Sequence, residues 1–136
     1  MIRVEINEKL PSCNDYIKLC RANKYVAAKM KLKIEQLIGC YLLELPRYDE
    51  PIKIHFHWIE GSQRRDWDNV CFAKKFILDS MVKYKKLSDD NRKIVTAFTD
   101  TFEYQKGITK VVLEIEEIGE SDEKNKKNKV KVEKVD

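Results

Sequence analysis

Ile52-Lys53-Ile54-His55-Phe56-His57-Trp58-Ile59-Glu60, then Gly61-Ser62-Gln63, then Arg64-Arg65-Asp66-Trp67-Asp68-Asn69: in this stretch the apolar spacing changes from that of a strand to that of a helix. Ile52, Ile54, Phe56 and Trp58 point one way, and Lys53, His55, His57 and Ile59 the other. This predicts a strand over residues 51–60. Gly61-Ser62-Gln63 reads as a loop. From Trp67 or Asp68 to about Tyr84, residues Val70, Ala73, Ile77, Met81 and Tyr84 recur at helical spacing and predict a helix.

Outward from this stretch the same two periods repeat. Ile2, Val4 and Ile6 share one face of a strand over residues 1–7. Residues 8–22 contain Pro11-Ser12-Cys13-Asn14 and read as a turn-rich connection. Val26, Met30, Ile34, Leu37, Ile38, Tyr41, Leu42 and Leu45 form one stripe of a long helix from about Asn23 to Leu45. Pro46 ends it, because proline cannot continue the hydrogen-bond ladder. Towards the C-terminus, residues 85–93 read as a polar loop. Strands near 94–103 and 108–118 follow, joined around Lys106-Gly107 as a hairpin. The order predicts a single α/β (α+β) domain over residues 1–118, with two main helices on a mixed sheet. Residues 119–136 are rich in Lys, Glu and Asn, with too little apolar surface to offset the entropy of ordering, so a disordered tail is expected.

Composition narrows the class. With 136 residues, 43% of them hydrophobic, the chain suits one core. It has no run of the roughly 20 apolar residues that a membrane helix needs. The first residues alternate like a strand and show no secretory signal, so a cytoplasmic protein is expected. Cys13, Cys20, Cys40 and Cys71 lack metal-site spacing and read as reduced thiols in or near the core. The net charge of +4 is modest, but its distribution is uneven. Lys18, Arg21, Lys24, Lys29, Lys31 and Lys33 form a run without an acid. A second group comprises Arg64, Arg65, Lys74, Lys75, Lys83, Lys85 and Lys86. Either group alone reads as a solvated face. Two groups flanking a set of carboxylates suit a phosphate backbone.

The carboxylates are Asp66 and Asp68, at a loop-to-helix junction, and Asp89-Asp90 in the loop before the next strand. Three such groups converging would repel one another unless a divalent cation neutralised them, and hard oxygen ligands suit Mg2+, with Mn2+ as a substitute. At about 100° per residue, Asp68, Lys75 and Asp79 fall within about 60° of one another, opposite the apolar stripe. Lys75 is thereby placed to meet a phosphate oxygen. Each piece has a plainer reading: a helix cap, a turn, an exposed ion pair. His55 and His57 share a strand face, a geometry that could bind a metal but reads first as a polar surface or a DNA contact. Phe72 and Phe76, off the main stripe, suit a dimer interface or cover by a loop.

Asp66-x-Asp68-Asn69, then Lys75-x-x-Leu78-Asp79, then Asp89-Asp90 resembles the core pattern of the RusA family of phage and prophage Holliday junction resolvases. Pro11-Ser12-x-Asn14-x-Tyr16, Arg21-x-Asn23 and Ala28-x-Met30-Lys31 are similar to the opening of phage-type members. The resemblance spans residues 1–118. It implies a homodimeric, Mg2+-dependent endodeoxyribonuclease that resolves four-way DNA by paired nicks, in recombination and repair. By position, Asp66, Asp68 and Asp90 match the catalytic, metal-holding carboxylates, Asp89 the lesser member of the acidic pair, and Lys75 the catalytic lysine. A short insertion before the lysine leaves Lys74 as a rival. Arg21, Lys24, Lys29, Lys31, Arg64, Arg65 and Lys74 are expected to hold DNA. A branched-DNA-binding module that does not cut, or a nuclease for flap or fork DNA, are the alternatives.

Overall fold

A computed structural model describes residues 1–88 and 91–118, and the side chain of Asn91 is outside that description. Its elements are β1 (Ile2–Ile6), α1 (Cys13–Ala22), α2 (Lys24–Tyr41), β2 (Ile52–Glu60), α3 (Trp67–Cys71), α4 (Lys74–Lys83), α5 (Asn91–Ile94), β3 (Val95–Tyr104) and β4 (Lys110–Glu117). The four strands form one mixed sheet in the order β1-β4-β2-β3, with β2 parallel to β3 and β4 antiparallel to both β1 and β2. The strand with the cleanest alternation, β2, therefore lies inside the sheet. Its Ile52, Ile54, Phe56 and Trp58 are buried with Ile6, Val111, Leu113 and Ile115 against Ile38, Leu42, Phe76, Ile77 and Met81 of the helical layer. Each such side chain contributes about 1.5–3 kcal/mol by leaving water.

The expected hairpin does not form. The chain from β3 to β4 passes over the end of β2, so the two strands flank β2 instead of pairing with each other. Gln105 N–H donates to Glu60 O (2.9 Å), Gly107 N–H to Gly61 O (3.3 Å) and Gly61 N–H to the Thr109 hydroxyl (3.0 Å). Gly61 is needed for this approach: a Cβ there would lie 2.8 Å from the Ile108 nitrogen. Gly107 turns with φ of 80°, a conformation that costs glycine little.

Four helical expectations are corrected. The segment before Asn23 is a helix, α1, because Ser12 and Asp15 form a reciprocal capping box. Asn23 then caps α2 directly, through bonds to the N–H groups of Tyr25 and Val26. Helix α2 stops at Tyr41, short of Pro46. Leu42 and Leu45 donate back across tight turns to Gly39 and Leu42, and Lys86 Nζ satisfies the carbonyls of Leu43 and Leu45. Both leucines are buried by this turn, whereas Val26 and Leu37 of the expected stripe stay exposed.

The helix expected from Trp67 to Tyr84 is broken into α3 and α4. Around the break Ala73, Lys75 and Phe76 bond to carbonyls three residues back, as in a 3-10 turn. That tightening lets Val70, Ala73 and Phe76, spaced by three, all be buried. Residues 91–94, expected in loop or strand, form the short α5. The residues of the expected tail, 119–136, lie outside the described ones. Cys13 and Cys71 are half-buried, but Cys20 and Cys40 are exposed, and all four are free thiols. Among the described residues no helix is long and apolar enough to cross a membrane.

Candidate active site

Asp66 has extended backbone (φ −67°, ψ 151°) at the N-cap of α3, yet its side chain makes no capping bond. Asp68 follows in the first turn. Both are exposed, and among the described residues neither forms an ion pair or a side-chain hydrogen bond. The capping reading therefore does not account for Asp66. Asp89 and Asp90, the other expected carboxylates, lie outside the described residues.

The segment carrying Asp66 and Asp68 is held from two sides. Arg65 is half-buried and makes two bonds to Glu60 at the end of β2 (both 2.9 Å), with a third to Leu10 O (2.8 Å). Its guanidinium is committed to fixing the loop rather than presented to solvent. Asn69 accepts from Asn14 N–H (3.2 Å), so the N-terminal motif and the Asp-x-Asp-Asn motif meet. Tyr16 packs on Phe72 and edge-on to Phe76, with ring centroids 5.9 and 5.4 Å away. Phe76 is fully buried, so α1, not a dimer interface, accounts for it. On the other side Trp67 stacks on Phe102 of β3, with centroids 5.0 Å apart.

Beside this segment lies a residue that sequence reasoning passed over. Asp100, on β3, accepts from Trp58 Nε1–H (2.9 Å) and from Lys74 Nζ (2.7 Å). The Lys74 ammonium also lies 4.0 Å from the Phe98 ring centroid and 5.2 Å from that of Phe56. The signal was present in the alternation: Phe98-x-Asp100-x-Phe102 puts a charge on an aromatic strand face, which requires a partner. Burial pushes the Cys71 thiol up, Asp100 pushes it further, Lys74 opposes, and Asp68 adds a smaller upward effect. The Cys71 thiol itself donates to the Asp68 carbonyl at 3.7 Å.

Lys75 is elsewhere. It pairs with Asp79 (3.4 Å), which also binds Lys31 of α2 (3.1 Å). Asp79 holds the Lys31 ammonium pKa above its usual range. The tight turn at Ala73 is why counting 100° per residue from Asp68 to Lys75 does not describe the chain. Of the expected DNA-contacting residues, Lys31, Arg65 and Lys74 have carboxylate partners. Lys24 lies 5.3 Å from the Tyr25 ring. Arg21, Lys29 and Arg64 form no ion pair among the described residues.

His55 and His57 face the uncovered side of the sheet, away from this cluster. The Thr101 hydroxyl bridges His55 Nε2 (2.9 Å) and His57 Nδ1 (2.6 Å), and His57 Nε2 meets Glu103 (2.8 Å). Bonds from His57 and Gln105 lower the Glu103 carboxyl pKa. Among the described residues no three His, Cys, Asp or Glu side chains gather as a metal site. No protein-family model matches the chain, and no curated protein matches it.

Proposed function

We propose that the chain is a Mg2+-dependent endodeoxyribonuclease that nicks branched DNA, resolving four-way junctions as a RusA-like homodimer in recombination and repair. The observation that carries this reading is the state of Asp66 and Asp68. Two neighbouring carboxylates stand at a rigidly held loop-to-helix junction with no described protein group to satisfy them. Hard, unspent oxygen donors fit Mg2+, which takes few protein ligands and keeps several waters. Asp66 and Asp68, with Asp90, two positions after Ser88 in the sequence, would hold it. When bound, the ion supplies Lewis acidity, which eases ionisation of a water and neutralises phosphate charge.

The chain's own residues do the rest. Asp100 and the Phe98 and Phe56 rings fix the Lys74 ammonium in place. An ammonium has three donors, and those not given to Asp100 can stabilise charge building on a phosphate oxygen. Lys74 is therefore the better candidate for the catalytic lysine than Lys75. Arg65 and Glu60 hold the loop so that Asp66 and Asp68 keep their geometry as the strand arrives. Lys18, Arg21, Lys29, Lys33 and Arg64 hold the DNA arms through phosphate contacts that weaken as salt rises. Two subunits would place two such sites for opposed cuts.

Asp66→Asn tests the assignment, since it keeps the shape and removes the charge. It should abolish nicking of a labelled four-way junction while leaving junction binding in a gel-shift assay unchanged or tighter. Full nicking activity in this variant would remove Asp66 from the site.

A further inference from the structure

An aromatic strip runs alongside the candidate carboxylates. Trp67 lies between Asp66 and Asp68 in the chain and stacks on Phe102, their planes 27° apart. Phe98 and Tyr104 continue the same face of β3, which is an edge strand of the sheet. These four rings remain 38% (Trp67), 37% (Phe102), 49% (Phe98) and 45% (Tyr104) exposed. Aromatic side chains held at a third to a half exposure along one edge have not completed their packing.

We infer that Trp67 and Phe102, extended by Phe98 and Tyr104, form a stacking platform for unpaired nucleobases next to the scissile phosphate. The inference rests on the nuclease reading above and adds what that reading lacks, a feature that prefers branch points to intact duplex. Three observations select this occupant. Trp67 is the immediate neighbour of both carboxylates, so a strand whose phosphate sits at Asp66 and Asp68 carries its adjacent base to the indole. The one carboxylate on this face, Asp100, is neutralised by Lys74, and Arg64, free of ion pairs among the described residues, precedes Asp66 by two positions. The strip therefore offers flat rings without unpaired negative charge on that face of β3. Finally, the open aromatic area is on the order of 300 Å², well short of the roughly 800 Å² per partner of a stable protein interface. A base needs far less, because every base has a π-face and each stacked ring adds affinity separately. Bases in an intact duplex are already stacked on each other and cannot use the platform. Those at a branch or in a single strand can.

The test uses the full chain and a four-way junction with 2-aminopurine at the branch-adjacent position, in Ca2+ without Mg2+ so that cutting is not required. Stacking on the platform should quench the fluorescence on binding. Trp67→Leu and Phe102→Leu, which keep apolar bulk without a flat ring, should abolish the quench and weaken binding to single-stranded DNA about tenfold. Affinity for intact duplex should stay within about twofold. Phe98→Leu, on the most exposed ring, should give a smaller loss in the same direction and guards against misfolding of the first two. Binding with no change in fluorescence would overturn the platform and leave the nuclease reading standing. A chain that binds and quenches but never nicks in Mg2+ would sink the nuclease reading and keep the platform. Absence of binding to junction, fork and single strand alike would overturn both. If light scattering shows a dimer that Trp67→Leu converts to a monomer, the strip is a subunit interface and the inference is wrong.

Discussion

Lys74 and Lys75 are neighbours in the chain and end in opposite settings. The Lys74 side chain is 14% exposed, bonded to Asp100 and boxed by two phenyl rings. The Lys75 side chain is 59% exposed and shares Asp79 with Lys31 on the outer seam between α2 and α4. A single tight turn at Ala73 decides which lysine meets Asp100 and which meets Asp79. A half-buried ion pair can hold a side chain to one geometry, while an exposed one is screened by water and contributes little. The comparison separates a positioned cation from a solvated one.

The largest effect should come from breaking the positioned pair. Lys74→Ala leaves Asp100 without its cation in a half-buried aromatic setting. It should cost about 2–3 kcal/mol in urea denaturation and remove junction nicking. Asp100→Asn should lose less stability, because Trp58 keeps its acceptor. Next is Gly61→Ala, whose Cβ would press on the Ile108 backbone 2.8 Å away. Displacing the β3–β4 crossover should cost roughly 1–3 kcal/mol by the same measurement. Ser12→Ala removes the capping box of α1 and should cost about 1 kcal/mol at neutral pH.

That last effect has a defined pH dependence. Bonds from Ser12 lower the Asp15 carboxyl pKa below its usual 3.8. The folded state therefore holds the ionised carboxylate more tightly than the unfolded chain does. The stabilisation is fully present above the unfolded pKa and is lost as pH falls through the lower folded pKa. The difference between wild type and Ser12→Ala should shrink below about pH 3.8, as read from urea midpoints at successive pH values. The smallest effect belongs to the solvated lysine. Lys75→Ala should change stability by less than about 0.5 kcal/mol and leave nicking near wild type. A larger loss for Lys75→Ala than for Lys74→Ala would reverse the comparison.

The same contrast shows what could be read in the sequence. Local periodicity was sufficient for β2, for the existence of α2 and for the apolar face of α4, because each buries one regular face. It failed where an irregular backbone link sets the geometry. The turn at Ala73 breaks the regular count from Asp68 to Lys75 and sets Lys74 against Asp100, and no single residue there is a strong breaker. Lys106-Gly107 has the composition of a hairpin turn, but the central place of β2 makes it a crossover. Helix α1 was legible in principle, since Ser12 and Asp15 have capping-box spacing, but Pro11-Ser12-Cys13-Asn14 also has the composition of a turn. Asp66 and Asp68 stand out in the sequence because they sit where strand gives way to helix. Asp100 was hidden within a strand, and its partners Trp58 and Lys74 are brought to it only by the sheet and the helix break.

The central claim is that Asp66 and Asp68, together with Lys74, cut branched DNA. The most direct measurement is incubation of a 5′-labelled four-way junction with the full chain, in Mg2+ and in EDTA, resolved on a denaturing gel. The account predicts symmetric nicks in opposed strands that require Mg2+ and leave ends a ligase can seal. Tight junction binding without nicks, in Mg2+ and in Mn2+, would contradict it and leave a module that only holds DNA.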